Sequence, residues 1–175
     1  SSTLGCKGDK PDLLLPGKQM QLLEAVLAAA GDKPVILVNM TGSAMDLNLA
    51  QEKCAAVIQA WYPGARGGQA IAEMIFGEYS PAGRLPITFY KTLEELPEFT
   101  DYSMKGRTYR YMEHDALYPF GYGLSYTSFA YESLGEPEWQ EDSLHFQVRV
   151  TNTGDMDGSE VVMMFIADVN NMTDR

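Results

Sequence analysis

At 175 residues, with 45% apolar and 21% charged side chains, the chain has ordinary globular composition and room for one domain or one and a half. Thirteen basic against 24 acidic residues give a net charge of −11, which repels phosphate backbones and anionic membrane surfaces and argues against nucleic-acid or membrane partners. The acidic residues are dispersed, with no run of five like charges, so an acidic interaction tail is not expected.

The first predicted element follows Pro16-Gly17. Leu22, Leu23, Val26, Leu27 and Ala30 recur at helical spacing, and Gly31 stands where a helix C-terminal glycine belongs. "KPVILVNM" is β-branched and lacks alternation, which predicts a short, fully buried strand. "GSAMDLNLAQEKC" is ambiguous and reads as a short helix, and "AAVIQAW" as a second buried strand. "YPGARGG" is a loop leading into "QAIAEMIFG", where Ala70, Ile71, Met74 and Ile75 mark a helical face closed by Gly77. Helix, strand, helix, strand, helix between residues 16 and 77 implies a parallel sheet flanked by helices.

The grammar then changes. Residues 78–102 hold three prolines and no sustained period, which predicts loop with one short strand over residues 85–90. "ALYPFGYGLSYTSF" packs Tyr118, Phe120, Tyr122 and Tyr126 around Gly121 and Gly123. Pro119 fixes the approach, the glycines permit sharp turning, and the aromatics bury large area at low entropy cost, which suits a fixed joint between two domains with Phe120 in a core. Further on, Leu144, Phe146, Val148 and Val150 alternate with polar residues as one half-buried strand. "NTGDMDG" supplies a turn, and "SEVVMMFIADV" is expected to pair back as a strand. Two strands and part of a third do not close a sandwich of about seven strands, and both ends of the chain are expected to be cut. The resulting expectation is an α/β fold. A partial parallel-sheet α/β sandwich domain over residues 1–124 is followed by an incomplete all-β sandwich over residues 125–175.

The polar start "SSTLGCKGDKPD" lacks the pattern of a signal peptide, and no apolar run approaches the roughly 20 residues that span a bilayer. The expectation is a soluble protein, cytoplasmic or secreted. Cys6 and Cys54 have no metal-ligand spacing; idle or buried thiols are expected rather than a disulfide. Glu113, His114 and Asp115 in "MEHDA" invite a metal or acid–base reading, but adjacent loop residues point apart, and a solvated turn is the better account. His145 falls on the polar face of its strand. "PGARGG" has neither the Walker lysine–hydroxyl pair nor the dinucleotide spacing, so it reads as a strand-to-helix connection, with Arg66 able to meet a carboxylate. Trp61 and Tyr62 could reach a sugar, since aromatic faces suit the C–H faces of pyranoses; core or interface is the commoner role for such residues. "GRTYRY" is read as a buried arginine paired to a carboxylate, with Tyr109 and Tyr111 packed beside it. "NMT" at Asn39 and Asn171 matches a glycosylation acceptor, with Asn39 in a predicted strand.

Six motifs occur in order from about Asp9 to the end of the chain: "LLLPGKQMQLLEAV", "KPVILVNMTGSAMDL", "AVIQAWYPGARGGQAIAEMIFGEYSPAGRLPITF", "GRTYRY", "LYPFGYGLSYTSFAY" and "VTNTGDMDGSEVV". Together they resemble the C-terminal part of glycoside hydrolase family 3, the β-glucosidase and β-xylosidase family. The resemblance implies an N-terminal TIM-type barrel outside this chain, then an α/β sandwich domain and a fibronectin type III-like domain. It further implies hydrolysis of terminal β-linked sugars of oligosaccharides with retention, using two carboxylates about 5 to 5.5 Å apart. The nucleophilic aspartate would lie on the barrel. The acid/base glutamate would lie in a loop before "LPG", where this chain offers only residues 1–10 and no glutamate; Leu4, Cys6 or Lys7 stands in that place. No catalytic residue is therefore assigned, the substrate-binding residues are left unknown, and no metal or cofactor is implied. The isolated chain is expected to be inactive. A non-catalytic carbohydrate-binding or protein-interaction module is the alternative, and an α/β hydrolase is disfavoured by the absence of "GxSxG".

Overall fold

The computed structural model describes Lys10 and residues 12–166. Cys6, Leu4, Lys7, the glycosylation motif at Asn171 and the last part of the predicted strand "SEVVMMFIADV" lie outside the described residues. The chain divides into two compact units. Among the described residues, the first comprises residues 10, 12–64, 85–122 and 166, and the second residues 65–84 and 123–165.

The first unit opens with α1, Gln19–Ala30, whose Leu23 is buried while Met20 and Leu27 pack against the core. The inward stripe is therefore 20, 23 and 27, at the i, i+3, i+7 spacing of one helical face. Leu22 and Val26, expected on that face, are exposed. Gly31 ends the helix at φ 57, a left-handed value that suits a residue without a Cβ. β1, Ile36–Asn39, and β2, Ala56–Gln59, pair in parallel, with Ile36 opposite Ala56 and Asn39 opposite Gln59. Between them α2, Asn48–Lys53, is shorter than the ambiguous stretch suggested. Residues 42–47 are loop, and Met45 and Leu47 anchor it in the core. The order predicted from residue 16 to 59 is thus the order observed, and the two strands run parallel as that order requires.

The strands are less buried than their uninterrupted apolar runs suggest. Ile36 is exposed, and the remaining positions of both strands are mostly half-buried. Among the described residues each strand has one hydrogen-bonded neighbour, so each has one open backbone edge. The core of the unit is Leu15, Leu23, Met45, Leu47, Ala50, Phe89 and Leu117, with Trp61, Leu85 and Tyr118 packed against it.

The strand expected over residues 85–90 is instead an extended segment held to the aromatic stretch at two places. Leu85 N donates to Tyr122 O and Gly121 N to Leu85 O, at 2.8 and 2.7 Å. Phe89 N donates to Tyr118 O, and Leu117 N to Phe89 O, both at 2.9 Å. Pro86 has no N–H to contribute between these two places, so a continuous ladder does not form. The aromatic stretch thereby supplies backbone partners as well as apolar area. Tyr118 meets Phe89 edge-on at 6.1 Å and stacks on Tyr122 at 5.4 Å. Phe120, expected in a core, is only half-buried and stacks on Tyr109 at 4.4 Å; Leu117 is the residue of this stretch that enters the core. A 3₁₀ turn, Leu93–Glu95, and a single helical turn α4, Thr108–Tyr111, complete the unit's elements among the described residues; the sequence pattern predicts neither.

The second unit begins with α3, Gly67–Ile75. Its β strands differ from expectation. β3, Phe129–Ser133, pairs antiparallel with β6, Val148–Asn152, and β4, Glu138–Gln140, with β5, Ser143–His145. The alternating run expected as one strand is thus broken between β5 and β6 at Phe146 and Gln147, where Leu134 N donates to Gln147 O. Residues 159–166 are not a strand, so "SEVVMMFIADV" does not pair back over that range. Period two marks which residues share a face; it does not choose the partner strand. The turn after β6 is organised by Asn152. Its Oδ1 accepts from Thr127 Oγ1 and Gly154 N, and its Nδ2 donates to Met156 O. Arg84 is held by Glu160 at 2.7 Å and by Ser125 Oγ at 3.1 Å, with both charged side chains largely buried.

Candidate functional site: the carboxyl edge of the parallel strands

In parallel α/β sheets, ligands bind beyond the carboxyl ends of the strands, where loops free of ladder constraints converge. Here that edge begins at the register pair Asn39 and Gln59. Asn39 is buried, and its Nδ2 donates to Gln59 Oε1 at 2.6 Å. Gln59 Nε2 donates to Thr41 O at 2.9 Å, and Thr41 Oγ1 to Ser43 O at 2.8 Å. Two amide side chains thus tie the ends of both strands to the loop after β1, which fixes that loop without a charged group. A buried Asn39 with its amide so engaged is not a free glycosylation acceptor.

Directly after β2 the chain does something costly. Trp61 has φ 54, in the left-handed region that bulky residues avoid. Such a conformation costs on the order of 1–3 kcal/mol and persists only where the surroundings impose it. Here Trp61 packs against the core while Tyr62, the next residue, is 82% exposed. A Cβ on Gly42 would stand 2.4 Å from Tyr62 Cε2 and 2.5 Å from its hydroxyl oxygen, so the ring rests on the bare Gly42 backbone. The expected core role therefore holds for Trp61 and fails for Tyr62. Nothing in a single sequence links Gly42 to a tyrosine twenty residues on, so its role is not legible there.

The same unit holds a cavity of about 390 Å³ lined by Thr88, Tyr109, Met112, His114, Asp115, Ala116 and Pro119. His114 and Asp115 are exposed, as expected for a solvated turn, and they share this cavity; Glu113 does not line it. Buried Thr88 Oγ1 has no hydrogen-bond partner among the described residues. No three His, Cys, Asp or Glu residues gather at metal-binding distance among the described residues.

The arginine of "GRTYRY" departs from expectation. Arg107 is half-buried, and its Nη2 donates to the carbonyls of Pro97, Glu98 and Asp101 at 3.2, 2.6 and 3.1 Å. Its partners are backbone oxygens rather than a carboxylate, because residues 97–101 turn their carbonyls toward it. Arg110 lies over the Tyr111 ring at 5.6 Å. Asp101 is held below the usual carboxylate range, chiefly by the Ser103 backbone N–H, with the Ser103 hydroxyl and Arg107 adding to it. Burial raises the Cys54 thiol, and it raises the Tyr118 phenol, with Tyr122 and Cys54 contributing.

In the second unit Arg66 donates to Gln69 Oε1 through Nε and Nη2, at 3.0 and 2.8 Å, so its partner there is an amide and "PGARGG" serves as the entry to α3. His145 is exposed on β5, as expected. No helix among the described residues is long and apolar enough to cross a membrane.

Among the described residues neither the strand edge nor the cavity presents two facing carboxylates. Comparison with known proteins places the chain in a family. Residues 3–126 match the model of the glycosyl hydrolase family 3 C-terminal domain. A xylan 1,4-β-xylosidase of Xylanibacter ruminicola is 49% identical over 160 residues, covering 91% of this chain and 18% of that protein. The structure of a β-glucosidase from Erythrobacter marinus superposes with a TM-score of 0.66 at 38% identity, covering 89% of this chain and 21% of that one. A β-glucosidase from Kluyveromyces marxianus in complex with glucose superposes at 0.68 with 31% identity, covering 84% and 19%. The chain therefore spans about a fifth of the length of these relatives. Over most of its own length it belongs to glycosyl hydrolase family 3, as that family's C-terminal domain.

Proposed function

We propose that the chain is part of a retaining, exo-acting β-glycosidase of the β-xylosidase/β-glucosidase type that removes terminal β-linked sugars from oligosaccharides. The observation that carries this reading is the 49% identity to a xylan 1,4-β-xylosidase over 91% of the chain. In such an enzyme one carboxylate attacks the anomeric carbon while the other protonates the departing glycosidic oxygen. Water then releases the sugar from the glycosyl-enzyme, with the second group acting as base. Neither carboxylate is assigned to this chain. Its role is to form one wall of the cleft and the domain scaffold, with the nucleophile on a barrel domain elsewhere in the polypeptide. We place a domain boundary after residue 124, between the α/β sandwich domain and the beginning of a fibronectin type III-like domain.

Hydrolysis of 4-nitrophenyl β-xyloside and β-glucoside by the full-length protein and by the 175-residue chain tests this. The full-length protein should turn over one or both, and the isolated chain neither. Turnover by the isolated chain that disappears on replacing one of its own carboxylates would overturn the assignment.

A further inference from the structure

The tyrosine at the strand edge combines three features. Tyr62 is 82% exposed, so burial does not account for its position. The ring is nevertheless seated, because Gly42 offers a surface on which any Cβ would collide with it at 2.4 Å. The backbone before it is strained, with Trp61 at φ 54. The strain is sustained because Trp61 packs into the core and because the Asn39–Gln59–Thr41 hydrogen bonds fix the neighbouring loop. The result is an aromatic ring held out from the carboxyl edge of a parallel sheet at a conformational cost already met within the fold, a preorganised contact.

We infer that Tyr62 is a stacking platform for a pyranose ring of the oligosaccharide, a unit beyond the two that flank the cleaved bond. This rests on the proposed function for the class of ligand. A pyranose presents an apolar face of axial C–H groups, which suits the negative face of an aromatic ring. The polar surroundings fit an outlying position. Recognition of the terminal sugar requires hydroxyl-specific donors and acceptors, whereas the nearby amides of Asn39 and Gln59 are directed to each other and to Thr41. A tyrosine that offers its aromatic face to the C–H face of a sugar holds the sugar without reading its hydroxyls. Xylose and glucose units are then both accepted there.

The test uses the full-length protein with xylobiose and xylotetraose, and with cellobiose and cellotetraose in parallel. Tyr62→Ala should raise KM for the tetrasaccharide about 3- to 10-fold more than for the disaccharide, on the scale of one aromatic contact. Tyr62→Phe should restore the wild-type length dependence, because the ring face and not the hydroxyl does the holding. Gly42→Ala should reproduce Tyr62→Ala by lifting the ring from its seat. Equal effects on short and long substrates, or no effect, would overturn the platform. So would a lowered melting temperature without length dependence, which would make Tyr62 a packing residue against another part of the polypeptide. If the wild-type protein hydrolyses none of the four sugars, the proposed function fails on its own. Calorimetric titration with xylotetraose and cellotetraose then decides the platform: weaker binding by Tyr62→Ala supports it, and equal binding ends it.

Discussion

Two ion pairs in the second unit have the same N–O distance, 2.7 Å, and very different surroundings. Arg84 and Glu160 have side chains 11% and 14% exposed, whereas Arg149 and Glu132 are 58% and 61% exposed. Opposite unit charges about 4 Å apart attract by about 4 kcal/mol at an effective dielectric of about 20, and by about 1 kcal/mol in bulk water. The first pair also makes further hydrogen bonds. Tyr131 donates to the second Glu160 oxygen at 3.0 Å, and Ser125 Oγ accepts from the same Arg84 nitrogen at 3.1 Å. Removing Arg84 alone would strand a desolvated carboxylate, at a cost of about 3–5 kcal/mol. The double-mutant coupling energy for Arg84→Ala and Glu160→Ala should then be about 2–4 kcal/mol. For Arg149→Ala and Glu132→Ala it should stay below about 1 kcal/mol, because water screens that pair and ordering two long side chains offsets the rest. Native-state hydrogen exchange at the paired amides of Phe129–Ser133 and Val148–Asn152 reads the opening free energy of this unit directly, without assuming that the whole protein unfolds in one step. Equal couplings, or a larger one at the exposed pair, would refute the claim that burial rather than distance sets the strength.

Two glycines should respond in opposite directions. A Cβ on Gly123 would lie 2.4 Å from the backbone carbonyl oxygen of Gly83, which has no free rotor with which to yield, so Gly123→Ala should destabilise by about 1–3 kcal/mol in thermal melts. Gly68 sits in α3 with open space around its would-be Cβ, so Gly68→Ala should stabilise by about 0.5–1 kcal/mol; a loss there would mean that α3 is not formed. Tyr118, whose phenol is raised by burial, stays protonated in the folded chain after unfolded tyrosines have begun to ionise. The unfolded state then binds fewer protons, so stability present at neutral pH should fall as pH rises above about 10. Tyr118→Phe should flatten that fall in urea midpoints measured across the alkaline range, and an unchanged slope would remove Tyr118 as its cause.

What the residues disclosed in advance follows the range of the forces involved. Helix α1 and strands β1 and β2 were legible because local periodicity, the Gly31 stop and β-branched runs report on contacts a few residues apart. The partner of β6 was not legible. Alternation from Leu144 to Val150 fixed which side chains share a face, yet β3, which supplies the hydrogen bonds, lies upstream of the Glu138–His145 hairpin. The extended segment over residues 85–89 gave way at Pro86 for a local reason, but its partner, residues 117–122, came from a distant stretch that reads as a loop. The candidate site shows the same limit more sharply. That Trp61 turns inward and Tyr62 outward depends on a left-handed backbone at a non-glycine residue, which intrinsic preference argues against. Where the fold overrides such a preference, the compensation has to come from contacts distant in sequence. Gly42 and the Asn39–Gln59 bond are those contacts here: Gly42 opens a stretch whose short-range pattern suggests only an ambiguous helix, and Asn39 and Gln59 end two strands whose pairing no local pattern reports.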